Sequence, residues 1–173
     1  MEQYCLRENR LILCDEELDL FIDEPFPIVQ GDVYRNGETA HYYPSGELFS
    51  LCYYKEGDLH GPSYFYAQGG KVLSESWFIR GKQEGKMRQY YRSGALYCIQ
   101  RYREGEKTGK QEFYYEDGGV KTLEFYKKGR LHGEIKLFWP RGQLKRTCHF
   151  IEGKRIGEDK FYDIHKQPEK SGI

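Results

Sequence analysis

The chain lacks any apolar run of about 18 residues, so no segment is expected to cross a membrane as a helix. It lacks an excess of either charge: Lys and Arg total 27, as do Asp and Glu. Dedicated nucleic-acid binders carry a basic surplus, so nucleic acid is not expected as a partner. Cysteine is sparse and scattered, at Cys5, Cys14, Cys52, Cys98 and Cys148, with no C-x-x-C. That spacing argues against a disulfide framework or a zinc knuckle and points to a reducing, cytoplasmic compartment. The opening residues 1–14 lack a basic stretch followed by a continuous apolar one, so no cleaved secretory signal is expected; export by a route that reads none is left open. G-x-x-x-x-G-K-[ST], G-x-S-x-G and H-E-x-x-H are all missing. Aliphatic residues are few within a hydrophobic share of 38%, too little for the deep core of a doubly wound enzyme.

Aromatics and glycines are plentiful, with 16 Tyr, 10 Phe and 20 Gly. A disordered chain would not carry so many aromatics. The glycines fall into columns 24 residues apart: Gly46, Gly70, Gly94, Gly118, Gly142; Gly57, Gly81, Gly105, Gly129, Gly153; and Gly61, Gly85, Gly109, Gly133, Gly157. Apolar columns share the period: Tyr42, Tyr66, Tyr90, Tyr114, Phe138, Tyr162; Leu48, Val72, Leu96, Val120, Leu144; and Tyr54, Phe78, Tyr102, Tyr126, Phe150. Five full units follow, at 38–61, 62–85, 86–109, 110–133 and 134–157, with a partial sixth at 158–173.

Each unit reads as a β-hairpin. In one, a strand over 111–115 meets the turn Glu116-Asp117-Gly118-Gly119, and a second strand spans 120–126. Aromatic and β-branched residues suit the strands, and glycine suits the turns. A helix carrying two or three glycines per unit would lose about 1 kcal/mol at each. The expected fold is therefore all-β, an elongated single-layer antiparallel β-meander of stacked hairpins. Even spacing predicts that columns 42, 48 and 54 share one face and form the core. Columns 43 and 53 would then occupy the other face. They are aromatic but less uniform, and supply the candidate partner-binding residues Trp77, Tyr91, Tyr115, Phe125 and Trp139. The competing reading is that these aromatics merely shield the second side of a thin sheet.

The stretches Tyr42-Tyr43-Pro44-Ser45-Gly46 with Gly57-Asp58-Leu59-His60-Gly61, and Tyr114-Tyr115-Glu116-Asp117-Gly118 with Gly129-Arg130-Leu131-His132-Gly133, resemble the MORN-repeat superfamily, in particular its bacterial variant repeat. The resemblance covers 38–162. It implies hairpins stacked side by side in one twisted sheet, and a role as a protein-binding scaffold, antitoxin-like in bacterial members, or as a phospholipid-surface binder in others. The family has no common catalytic residue, so none is carried over.

Residues 1–37 lie outside the resemblance. They hold nine acidic and three basic residues, a net charge of −6 that leaves +6 on the remainder. The expected role is a cap over the first edge strand of the array. The alternative is that Asp15-Glu16-Glu17 and Asp23-Glu24 meet a basic partner. Pro25 and Pro27 predict an extended passage into the sheet. The far end is basic, with Arg141, Lys145, Arg146, Lys154 and Arg155, so a dipolar rod could associate head to tail.

No metal and no cofactor is expected. His60 and His132 share a column three units apart, on the order of 30 Å at about 4.8 Å per strand, too far to ligate one ion. A single-layer meander offers a shallow surface rather than a catalytic pocket, so the chain is expected to be no enzyme. The leading expectation is a macromolecular, protein-binding module. A membrane-surface binder is second and is weakened by the zero net charge. A self-associating spacer is third.

Overall fold

The computed structural model describes residues 1–7, 9–26 and 36–164. Pro27, and the last part of the partial sixth unit with His165, lie outside the described residues. The strands form two antiparallel sheets, and no α-helix occurs among the described residues. The first sheet holds β1 (Glu2–Arg7), β2 (Arg10–Asp15) and β3 (Leu20–Pro25), with one 3-10 turn at Glu16–Leu18. The second is a 14-stranded meander. Its strands are β4 (Gly37–Tyr42), β5 (Leu48–Lys55), β6 (Asp58–Tyr66), β7 (Val72–Ile79), β8 (Lys82–Gln83), β9 (Gly85–Tyr90) and β10 (Leu96–Arg103). The rest are β11 (Glu106–Lys107), β12 (Gly109–Tyr114), β13 (Val120–Lys127), β14 (Arg130–Leu131), β15 (Gly133–Phe138), β16 (Leu144–Ile151) and β17 (Lys154–Phe161). Along the meander each long strand pairs with the long strands before and after it, and the short β8, β11 and β14 extend the pairing beside β7, β10 and β13.

Two kinds of turn build the meander. At the tip within a unit, the Tyr43 N–H donates to the Glu47 carbonyl at 2.8 Å and the Gly46 N–H to the Tyr43 carbonyl at 2.9 Å. Gly46 sits at φ +85°. This is a three-residue loop whose last position is left-handed, where glycine is cheapest. Between units a two-residue turn has positive φ at both positions, as at Arg80 (+49°) and Gly81 (+75°). Such turns match the twist of the flanking strands, and the strain of the non-glycine residue is tolerated for that reason.

The strand register corrects the expected division of faces. His41 pairs with Ser50, but Tyr42 pairs with Leu48, so β5 carries one extra residue beside the tip. The same shift recurs at Phe65/Tyr66, Phe113/Tyr114 and Leu137/Phe138. Residues directly opposite each other share a face, and a one-residue slip exchanges faces. Columns 42 and 48 therefore lie on one face, while column 54 lies on the other with columns 50 and 52. The expected single core stripe is split, and Tyr42 is 63% exposed.

The main apolar cluster lies elsewhere, between the two sheets. Leu11, Leu13, Leu20 and Phe26 from the N-terminal segment bury Trp77, with Tyr4, Leu6, Ile22, Tyr53 and Ile79 around them. Each fully buried side chain of this size is worth about 1.5–3 kcal/mol in transfer free energy. Residues 1–26 do not cap the first edge strand, as expected, but lie across the face of β5 to β10. Among the described residues β4 pairs with β5 alone.

Asp15, Glu17 and Glu24 of the acidic clusters engage basic side chains of the array, within the chain itself rather than on a separate basic partner. Lys86 Nζ, nearly buried, lies 2.7 Å from Glu2, 3.1 Å from Asp15 and 3.1 Å from Glu17. Arg88 pairs with Glu2 and Glu75, and Arg101 with Glu17 and Glu112 at 2.8 Å each. Glu24 holds Lys55 at 3.0 Å and His60 at 2.6 Å. Burial alone would raise the carboxyls of Glu2, Asp15, Glu17 and Glu24. Hydrogen bonds and opposite charges outweigh it, and all four titrate below their ordinary values. Burial holds His60 below its ordinary value despite Glu24. This fits its geometry, because Nδ1 accepts the Arg80 N–H at 3.2 Å and the ring is then neutral.

Candidate interaction face

The two faces of the long sheet differ in what lies over them. Tyr53, Trp77, Lys86, Arg88 and Arg101 project from one face and meet the N-terminal sheet. We call this the covered face. The opposite, open face carries columns 50, 52 and 54, and no described strand passes over it. Small side chains there, Ser50, Cys52, Ser63 and Cys98, are buried by taller neighbours in the same layer. Burial pushes the Cys98 thiol up to about 11, so it is packed rather than poised as a nucleophile.

The taller neighbours form aromatic rows. Tyr43, Phe49 and Phe65 make edge-to-face contacts with centroids 5.1 and 5.7 Å apart. Two units on, Tyr91, Tyr97 and Phe113 repeat the arrangement at 5.2 and 6.0 Å. Such pairs contribute about 0.5–1.5 kcal/mol each beyond area burial, so the rows are held in fixed orientation. Phe49 and Phe65 nevertheless remain 39% and 38% exposed. The tip tyrosines also brace the array: Tyr43, Tyr91 and Tyr115 donate their hydroxyls to the carbonyls of Tyr66, Tyr114 and Phe138 at 2.7–2.8 Å.

The five candidates from the sequence separate into two groups. Tyr91, Tyr115 and Trp139 stand at hairpin tips, and Tyr91 belongs to an open-face row. Lys121 lies over the Tyr115 ring at 5.6 Å and Lys145 over Trp139 at 4.3 Å, both as cation–π contacts. Trp77 and Phe125 belong to the covered face, because Lys110 opposes Phe125 and Pro62 opposes Trp77 in a register continuous with Tyr53. Trp77 is 4% exposed and packs on Tyr4 at 5.8 Å, so it is a core residue and not part of any open surface. Phe125 keeps 38% exposure because the N-terminal sheet stops short of it. Phe49, Phe65, Tyr97 and Phe113 were missed. For Phe49 and Tyr97 the signal is the adjacent apolar pair at Leu48-Phe49 and Leu96-Tyr97, which marks the extra residue of the bulge.

Other chemistry is sparse. Among the described residues no three His, Cys, Asp or Glu side chains stand together as metal ligands, and the five cysteines are unpaired. Among the described residues no helix is long and apolar enough to cross a membrane. The sequence model of the family described as MORN repeat variant matches residues 35–56, 83–104, 107–128 and 131–152. A search of curated proteins finds no match to the chain.

Proposed function

The chain belongs to the MORN repeat variant family, and from that premise we propose that it is a non-enzymatic scaffold that docks a protein partner on its open face. The observation that carries this reading is the pair of aromatic rows, Tyr43-Phe49-Phe65 and Tyr91-Tyr97-Phe113, on the face left bare by the N-terminal sheet. Oriented, half-exposed aromatics supply much of the energy of protein interfaces at small entropic cost. The finer reading is antitoxin-like, with a toxin-like protein as the partner.

The test compares two triple variants in capture from native lysate. Phe49→Ser/Phe65→Ser/Tyr97→Ser should lose a partner that the wild type retains. Leu123→Ser/Phe125→Ser/Ile151→Ser, on the covered-face side, should keep it. Equal retention by both, with folding intact, would remove the open face as the docking surface.

A further inference from the structure

Over the five full units, the tip column that supplies Tyr43, Tyr91, Tyr115 and Trp139 has one non-aromatic member, Ala67 in the second unit. Where the column is tyrosine, the ring lies along the tip and its hydroxyl reaches the carbonyl 23 residues on. At Ala67 no ring follows that path, and no hydroxyl from position 67 reaches the Tyr90 carbonyl. A cavity of about 530 Å³ opens there, lined by Tyr43, Ala67, Gly69, Lys71, Leu73 and Arg92. Leu73 holds the position of Phe49 and Tyr97, the residues on which the neighbouring tip rings rest.

The local turn differs as well. Gly69 takes φ +89°, whereas Ser45, Ser93, Asp117 and Arg141 at the equivalent positions take no positive φ. Its N–H donates to Glu47 Oε1 at 2.8 Å. At the mouth, Lys71 and Arg92 are exposed, and no carboxylate pairs with either among the described residues. Lys71 donates instead to the Ser93 carbonyl at 3.0 Å.

We propose that this vacant tip is a pocket for a tyrosine side chain of a partner protein, flanked in that partner by acidic residues. The neighbouring units are the template for the occupant: a phenol ring against the column-49 side chain, with its hydroxyl donating to a strand-end carbonyl. The two basic side chains at the mouth select the flanking charge. This deepens the open-face reading and rests on it, since the pocket lies between the two aromatic rows.

The full chain would be titrated with the peptide Glu-Glu-Tyr-Glu-Glu, with blocked ends, following the methyl NMR signals of Ala67 and Leu73. Saturable shifts at both are expected. The Phe peptide should bind several-fold more weakly and the Ala peptide at least ten-fold more weakly. Ala67→Tyr should fill the pocket, raise the unfolding midpoint and abolish peptide binding; Ala67→Leu, a smaller plug, should weaken it. Binding that is unchanged in both variants, or unchanged when the peptide tyrosine is Ala, would overturn the pocket. N-acetyltyrosinamide binding as tightly as the peptide would overturn the protein-partner assignment. If the peptide fails while Phe49→Ser/Phe65→Ser/Tyr97→Ser still abolishes partner capture, the pocket falls and the open-face scaffold stands.

Discussion

Trp77 and Phe125 occupy equivalent positions two units apart, yet one is core and the other is surface. Trp77 is 4% exposed beneath the N-terminal sheet, while Phe125 is 38% exposed beyond its reach. Arg101, between them in the same column, is 4% exposed and bridges the sheets through Glu17. A repeat array thus becomes asymmetric without changing its backbone. The period dictates the rungs, and a non-repeating segment decides which rungs become interior. Units under the N-terminal sheet gain an apolar seam and buried charge pairs; the later units have only their lateral neighbours.

Acid should separate the two regions most strongly. Glu2, Asp15, Glu17 and Glu24 titrate lower in the folded chain than their ordinary values, so protonation favours the opened form. Their contribution is present above about pH 4.5 and is lost as pH falls through the folded values. His60 adds to this in the same direction. It is held neutral when folded, so its contribution begins to fade below about pH 6.5. Hydrogen exchange followed by mass spectrometry should show β1–β3 opening below about pH 4.5 while β12–β16 stay protected. Simultaneous loss of both would contradict the comparison.

Substitution within one column comes next. Trp77→Ala should cost about 3–5 kcal/mol, as expected for an aromatic removed from a packed core. Phe125→Ala should cost roughly 1 kcal/mol, within the usual range for partly exposed sites. Urea denaturation of both variants measures the difference, and equal costs would break it.

A glycine pair gives a smaller contrast. Gly85 and Gly133 both have positive φ, at +75° and +104°. A side chain at either adds about 1–2 kcal/mol of left-handed strain. At Gly85, however, a Cβ would stand 2.5 Å from Tyr4 Cε1, while at Gly133 the nearest atom, Phe125 Cβ, is 3.7 Å away. Gly85→Ala should therefore destabilise more than Gly133→Ala, and the excess should vanish in a Tyr4→Ala background. The smallest effect is shared by both regions. Tyr91→Phe and Tyr115→Phe each remove one tip hydroxyl bond and should each lower stability by about 0.5–1.5 kcal/mol.

The 24-residue period, the hairpins and the placing of glycines at turns were legible because glycine columns report backbone conformation directly; the two turn types were not. The division into faces was not. Parity counting assumes an unbroken pleat, and the bulge beside each tip reverses it between Leu48 and Ser50. For the candidate face this misplaced Trp77 and Phe125 relative to Tyr91, and hid Phe49, Phe65, Tyr97 and Phe113. The opposite charges of residues 1–37 and of the array were visible, but their contacts were not. Lys86 meets Glu2 across 84 residues, and no local pattern encodes that pairing. One trace did exist: Arg101 breaks an otherwise largely aromatic column, and it is the residue that the N-terminal sheet engages.

The N-terminal sheet lies on one face of the array and leaves the other bare. Proton NOE spectroscopy of the full chain at neutral pH reads this placement. Cross-peaks are predicted from the Tyr4 ring to the Trp77 indole and to the Gly85 Hα protons. Cross-peaks from Tyr4 to Phe65 or Phe113 in place of these would put the sheet on the open face instead.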